Sequence, residues 1–364
     1  MRPLRGSFWV FVLYDVAEEI ELGKLRDLVG AEPIPQQPGF KHPAPEYVRF
    51  ERPPAIEYPA PLTLESGEKF EVRIKYFDYG VVSIELQLEF EADWDELVRL
   101  SNRWILAPEL EGRTAELLRP RLERAAAALT QPYSPRLNED YYIIHLREAV
   151  DEFGAQMAAP AMLAARGQEI SQIVRGESTP LSDGERNEVL QSSLSYYPND
   201  LLVVGWVAAL VYDTASGAAP TIQLLEYANT QLLEFRHYDD VLTRVLEQVY
   251  KRLERRGSFL RRWRMAREAE RLNTLRLDVT ELTERTDNAI KFLSDMFYAR
   301  VYRIAAARVG VTDYRNLVEE KLRTAGDLYQ FMTNEFHQAR AFVLEALVVM
   351  ILVIELMHLF RGGW

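Results

Sequence analysis

The alternation of apolar and polar residues is clearest between positions 71 and 90. From Val81 to Phe90, apolar residues alternate with polar ones that include Ser83 and Glu85. This period of two predicts a strand with one buried and one solvated face. Glu71 to Phe77 predicts the preceding strand, and the Asp-Tyr-Gly run at 78–80 predicts the turn that joins the two strands as a hairpin.

Around this hairpin the pattern predicts a head domain over residues 1–135. Ser7 to Tyr14 is rich in aromatic residues and valine, as strands are. Trp94 to Leu106 and Gly112 to Leu129 have the periodicity of helices. Prolines are dense from 31 to 61, which excludes helix there. The order of these elements predicts a small α+β sandwich that resembles the split β-α-β arrangement.

Residues 136–220 predict a mixed α/β middle segment. Tyr141 to Leu146 has the composition of a strand. Ser182, followed three residues later by Glu185, has the spacing of a capping box and predicts the start of a helix. The apolar run from Leu201 to Tyr212 has twelve residues, too few to span a bilayer, and predicts a buried strand.

Residues 221–340 predict long helices. Apolar residues recur at spacings of three and four from Leu225 to Leu253, from Leu272 to Met296 and from Val318 to Val343. A 3.5-residue repeat produces an apolar seam that must meet another helix. Short breaks between the stretches allow consecutive helices to fold back. We therefore expect an antiparallel coiled-coil bundle.

Ala341 to Phe360 predicts a transmembrane anchor. Its twenty residues lack Gly and Pro, and as a helix they cover about 30 Å, the thickness of a hydrocarbon core. Glu345 and Glu355 oppose insertion, since each charge at bilayer depth costs about 2.5 kcal/mol or more. The alternative interpretation is a buried C-terminal helix of a soluble bundle.

The flanking charges and the two acids extend this prediction. Three basic residues closely precede the span and Arg361 follows it, a bias that favours a single-pass, tail-anchored protein with most of the chain in the cytoplasm. Glu345 and Glu355 are separated by about 80° around a helix, so both can face one partner helix. We therefore expect self-association or a helical protein partner.

Composition restricts the choice of partners. The net charge of −12 disfavours a general nucleic-acid binder, because an acidic surface repels phosphates. The absence of cysteine excludes disulfides, zinc–thiolate sites and thiol nucleophiles. We infer no cofactor and no small-molecule substrate from the sequence.

One short stretch contains residue types that bind metals. Glu234, His237 and Asp240 lie within two helical turns, and carboxylates with histidine can hold a divalent cation. However, Asp239 falls on the predicted seam, where a polar residue more often fixes helix register. A structural role or a solvated helix face is therefore the favoured interpretation over a metal site.

A basic cluster contrasts with the acidic total charge and predicts an anion-binding tip. Arginine interleaved with aromatic residues suits lipid headgroups or RNA phosphates. The alternatives are a solvated turn paired with acidic neighbours, or a protein partner. The candidate residues are Arg255, Arg256, Arg261, Arg262, Trp263, Arg264 and Arg267.

Two blocks of the chain resemble the domain-of-unknown-function family named for proteins required for meiotic nuclear division, which has bacterial, fungal and mitochondrial members. In the tail, Leu344-Glu345 is followed by nine apolar residues and Glu355, and Glu320-Lys321-Leu322 resembles the preceding helix. Tyr76 to Val82 resembles the family's hairpin motif. The resemblance implies a membrane-associated, non-enzymatic protein with eukaryotic relatives linked to mitochondrial translation.

The sequence thus predicts a non-enzymatic, membrane-anchored scaffold or interaction protein. Its head would bind a partner, and its coiled coil would set distance and oligomeric state. Two alternatives stay open. One is a metal-dependent enzyme that uses the cluster at 234–240, and the other is an RNA- or ribosome-associated membrane tether that uses the basic tip.

Overall fold

The computed structural model describes residues 3–33, 53–105, 107–150, 154–254, 270, 272–281 and 296–361. The chain divides into two compact units, each packed mainly against itself. The first contains residues 1–237 and 286–314, and the second contains residues 238–285 and 315–364. The division therefore falls inside a long helix, after His237, and differs from the four segments expected from sequence.

A ten-stranded mixed sheet forms the centre of the first unit. The strands lie in the order β10-β11-β12-β9-β1-β7-β6-β4-β3, with β5 added to β6, and every described pairing is antiparallel except β9 with β12. A separate two-stranded sheet pairs β2 with β8. The strands are β1 (Leu4–Asp15), β2 (Ala17–Ile20), β3 (Glu32–Pro33), β4 (Ala55–Glu57), β5 (Leu62–Thr63), β6 (Lys69–Tyr76), β7 (Val81–Ala92), β8 (Leu129–Pro132), β9 (Asn138–Glu148), β10 (Ser193–Leu194), β11 (Leu201–Val204) and β12 (Ala208–Tyr212).

Strand β1 is internal because it is apolar on both faces. Phe8, Val10 and Val12 project to one side, whereas Phe11 and Leu13 project to the other, and all five are buried. A strand covered on both faces reads as a nearly continuous apolar run. It pairs along its length with β7 on one side and β9 on the other.

Five helices cover the face that carries Phe8, and their buried side chains join those of the strands in one core. Two begin at side-chain caps: Asp93 accepts a hydrogen bond from the backbone of Glu96 at 2.8 Å, and Ser182 accepts one from Glu185 at 3.3 Å. The helices are α1 (Leu22–Val29), α2 (Trp94–Trp104), α3 (Pro108–Ala125), α4 (Ala159–Arg175) and α5 (Asp183–Leu190).

The opposite face of the sheet packs against α6 (Ala215–Glu254). Leu233 on this helix lies in an apolar cluster with Leu13, Phe77 and Val81 of the sheet. Helix α7 (Met296–Val309) packs beside α6, and the Tyr302 hydroxyl donates a hydrogen bond to Gln231. Both faces of the sheet are therefore covered by helices.

The second unit is helical. It contains the end of α6, a helical stretch at 272–281 and most of α8 (Val311–Arg361), which begins after Gly310 in a left-handed conformation. Lys321 Nζ lies 2.5 Å from Asp239 Oδ1. The apolar core comprises Val245, Leu246, Val249, Leu272, Ala325 and Met332.

Several expectations are corrected. The α+β class is confirmed, but the small sandwich over residues 1–135 is wrong, because the sheet extends to Tyr212 and unites the predicted head and middle segments. Leu201 to Tyr212 is two strands with a turn at Gly205, not one strand. Long helices occur over the first and third heptad stretches, and most of the second stretch lies outside the described residues. The packing of the described residues does not establish a coiled coil.

Candidate functional site

Four charged side chains meet where α6 crosses β6 and β7, and we call them the charged quartet. Lys75 Nζ lies 2.5 Å from Glu226 Oε2 and also contacts the carboxylate of Glu85. Arg73 Nε lies 2.8 Å from the other oxygen of Glu85. Both glutamate side chains are only 2% exposed. The quartet thus places two positive and two acidic groups between α6 and the sheet.

Sheet register explains why three of these residues converge. Arg73 pairs directly with Glu85 across β6 and β7, and Lys75 pairs with Ser83. Directly opposed residues project from the same face of a sheet. The face expected to be solvated is therefore buried beneath α6 at Ser83 and Glu85, whereas Glu89 further along β7 stays exposed.

The charges of the quartet determine one another's protonation. Burial raises the pKa of Glu226 to about 7, despite the opposing effect of Lys75. Burial acts in the same direction on Glu85, but Lys75 and Arg73 outweigh it and hold the pKa of Glu85 below its usual value. Burial favours neutral Lys75, yet the two carboxylates raise its pKa. Glu226 is thus the member whose charge changes near neutral pH.

A shallow cleft borders the quartet. Its volume is about 260 Å³ including space open to solvent, which is below the usual range for sites that enclose an organic ligand. Lys75, the cation among the described lining residues, is already engaged by two carboxylates. The lining residues are Pro54, Lys75, Phe77, Gln223, Glu226 and Tyr227.

A third buried acid lies at the end of β1. Asp15 is 3% exposed, and its Oδ2 lies 2.7 Å from Nδ1 of His237 on α6. The imidazole also stacks on Tyr133, with ring centroids 4.2 Å apart. Burial raises the pKa of Asp15, while the hydrogen bond and charge of His237 act in the opposite direction. The pair anchors α6 to the end of the central strand.

The structure does not assemble the residues considered for a metal site. His237 is paired with Asp15, Glu234 is buried, and Asp240 Oδ2 lies 2.9 Å from Arg244 in an exposed ion pair. Among the described residues, no group of three or more histidine, aspartate or glutamate side chains is arranged to hold a metal ion.

The basic cluster Arg255, Arg256, Arg261, Arg262, Trp263, Arg264 and Arg267 lies outside the described residues. The anion-binding interpretation of this tip therefore stays a prediction.

The last part of α8 contains the candidate membrane segment. Ala341–Leu359 has a mean hydropathy of 2.4, and none of this window is buried. Large apolar side chains such as Ile351 and Leu352 are more than half exposed. It is the one helix among the described residues with the length and composition to cross a bilayer. Glu345 and Glu355 both lie within it and are exposed.

Sequence reasoning missed the charged quartet and the Asp15–His237 pair. Lys75 and Glu85 occupy positions that a half-solvated hairpin fills with charges, so nothing local marks them as buried. The available signal was β1, whose continuous apolar run implies a sheet covered on both faces. Because β7 lies next to β1 in the sheet, helices that cover both faces of β1 also cover polar residues of β7.

Comparison with known proteins identifies the family of the first unit's sheet. A family model described as "Uncharacterized protein MJ0711, N-terminal domain" matches residues 5–219. The chain belongs to this family. The matched region begins in β1 and ends in the first turn of α6. It therefore includes the ten-stranded sheet and the five helices on one of its faces.

One curated relative extends the comparison. The chain is 21% identical over 189 residues to "Uncharacterized protein MJ0711" of Methanocaldococcus jannaschii, an alignment that covers 51% of this chain and 57% of that protein. The chain thus spans little more than half of its relative's length. No solved structure matches. The resemblance to the meiotic nuclear division family is wrong, because membership of the MJ0711 N-terminal domain family replaces it.

Proposed function

We propose that this protein is a membrane-anchored, non-enzymatic scaffold or interaction protein. The observation that carries the proposal is the Ala341–Leu359 segment of α8, an apolar helical surface with none of its window buried. Nineteen helical residues span about 28 Å, close to the hydrocarbon thickness of a bilayer. A contiguous apolar surface of this kind requires lipid or a partner to cover it.

The continuity of α8 supports an anchor that is joined rigidly to the second unit. Ala325 and Met332 are buried in the helical core of that unit, and the same helix continues without interruption through Ala341–Leu359. A bilayer segment on such a helix would hold the helical core close to the membrane surface.

The proposed topology is single-pass with most of the chain in the cytoplasm. Lys321, Arg323 and Arg340 precede the segment, whereas Arg361 follows it. Positive residues near a span are retained on the cytoplasmic side.

A non-enzymatic role agrees with the pairing of both cations of the charged quartet. Lys75 is bound by Glu85 and Glu226, and Arg73 is bound by Glu85. Cations engaged in this way lack the freedom expected of a nucleophile or an electrophilic catalyst. A scaffold role needs only that the sheet and its helices hold a fixed surface.

Alkaline extraction of membranes tests the anchor. We expect the full-length protein to sediment with membranes and to resist extraction at about pH 11, which strips proteins held by other proteins. The double variant Val349→Arg/Leu352→Arg, with charges in the middle of the segment, should become extractable. The double variant Glu319→Arg/Glu320→Arg, at exposed positions earlier in α8, is the matched control. A wild-type protein recovered in the soluble fraction would contradict the proposal.

A further inference from the structure

The two acids of the membrane segment lie on one stripe of α8. Glu345, Val348, Leu352, Glu355 and Leu359 follow at alternating spacings of three and four. Since each residue turns the helix by about 100°, these five fall within an arc of about 80°. All five side chains are exposed, so the part of the chain that the structure describes leaves this stripe uncovered.

The acids also occupy matched depths. The midpoint of Ala341–Leu359 is Met350, and Glu345 and Glu355 lie five residues on either side of it. At 1.5 Å per residue, the backbone of each glutamate is about 7.5 Å from the midpoint of the segment. The hydrocarbon core extends about 15 Å from the bilayer midplane in each direction. Under the proposed function, on which this inference rests, both carboxyl groups therefore originate well inside the bilayer.

Carboxyl groups at this depth require hydrogen-bond donors or cations from a neighbour. A second copy of the chain offers no lysine or arginine there, because the sequence has none between Arg340 and Arg361. The histidine of this segment, His358, lies about 60° outside the arc of the stripe. A parallel second copy would place each glutamate at the depth of the same residue in its neighbour. An antiparallel copy would place Glu345 at the depth of the neighbour's Glu355. The charge pattern thus favours a different protein as the neighbour.

We infer that the Glu345–Glu355 stripe docks a membrane-spanning helix of another protein that carries two basic side chains about 15 Å apart. Val348 and Leu352, between the acids, provide an apolar strip for close packing. The two charge pairs would fix the register of the helices, since a shift along the axis separates both pairs at once. Opposite charges placed in this way give specificity as well as attraction.

Energy transfer in vesicles tests the inference with a defined probe. The cysteine-free chain receives one donor dye at Asp327→Cys, an exposed position of α8, and is reconstituted at full length in phosphatidylcholine vesicles. The probe is a leucine-rich synthetic helix with two lysines ten residues apart, labelled with an acceptor dye. We expect this helix to bind at least tenfold more tightly than the same helix with glutamine at both positions.

Matched variants assign the effect to the stripe. Glu345→Gln/Glu355→Gln should reduce binding of the lysine helix to the level of the glutamine helix, whereas Glu319→Gln/Glu320→Gln should leave it unchanged. Equal binding of both helices, or stronger transfer between two differently labelled copies of the chain, would overturn the inference. Flotation distinguishes failure of the docking from failure of the anchor. A chain that floats with vesicles but binds both helices equally refutes only the docking. A chain that does not float refutes the anchor and the docking together.

Discussion

Lys75 on β6 and Glu226 on α6 are 151 positions apart in the chain, yet their charged groups lie 2.5 Å apart in a buried contact. The contact joins the hairpin of β6 and β7 to α6, the helix that follows β12. Both partners are largely withdrawn from water, so each depends on the other for compensation of its charge. The stability of the first unit should therefore respond strongly to this pair.

Replacement of Lys75 by methionine should destabilise the first unit by about 3 kcal/mol. The substitution leaves two acids that share a buried site with Arg73 alone, although Glu226 can limit the loss by taking up a proton. Hydrogen exchange of the β6 and β7 amides would measure the effect locally. Lys69→Met, at an exposed position of the same strand, should change stability by less than about 0.5 kcal/mol. The double variant Lys75→Met/Glu226→Met should recover most of the loss, and a double variant no more stable than Lys75→Met would contradict this account.

Glu226 should make the first unit less stable as the pH rises from about 4.5 to about 7. Its pKa is raised from 4.5 to about 7 by burial, so the folded protein retains a proton that the unfolded chain releases in this window. The folded state then loses stability with increasing pH, by roughly 3 kcal/mol in total. Glu226→Gln should remove this pH dependence of stability when unfolding is measured at pH 5, 6 and 7. The control Glu71→Gln, at an exposed position of β6, should retain it. Parallel pH profiles for wild type and Glu226→Gln would argue against the assignment.

His237→Phe should lower stability by about 1–3 kcal/mol. Phenylalanine can still stack on Tyr133, but Asp15 loses the nitrogen that lies 2.7 Å from its carboxylate. Because Asp15 is buried, its charge would then lack this compensation. Asp15→Asn in the His237→Phe background should restore part of the stability in thermal unfolding. No difference between the single and double variants would show that the Asp15–His237 contact contributes little.

Gly80→Ala and Gly67→Ala form a matched pair of turn substitutions. Both glycines have left-handed backbones, with φ of 91° and 95°, so alanine costs about 1–2 kcal/mol at either. At Gly80 an added Cβ would also overlap the carbonyl oxygen of Ala17, whereas nothing lies within 4 Å at Gly67. We expect Gly67→Ala to fold with a modest decrease in melting temperature, and Gly80→Ala to lose more than about 4 kcal/mol. Equal losses would mean that the Ala17 backbone moves aside easily.

Local patterns predicted local structure well. The turn at 78–80, the cap at Ser182 and the exposed apolar helix after Ala341 depend on neighbours within a few residues, and the sequence indicated all three. The turn at Gly205 escaped prediction because Trp206 and Val207 beside it are apolar. Two buried strands with an apolar turn look like one continuous run.

Tertiary burial of polar residues could not be predicted in the same way. Glu85 has the alternation of a solvated strand, and its burial depends on α6, which follows about 130 residues later. Only the complete pairing with Arg73 and Lys75 makes that burial tolerable. The family assignment failed because it depended on short motifs, most of them in the tail, whereas the family model that matches covers residues 5–219.

The position of β1 between β7 and β9 also affects how the protein can be synthesised. Its two neighbours lie far downstream, with Arg5 opposite both Glu91 and Glu148. At about 5–20 residues per second, the strand waits on the order of ten seconds before both partners have emerged from the ribosome. For that interval at least one edge of a strand that is apolar on both faces stays unpaired. The central strand of the folded sheet is therefore exposed to aggregation in the nascent chain, and chaperone supply during translation should limit the yield of this protein.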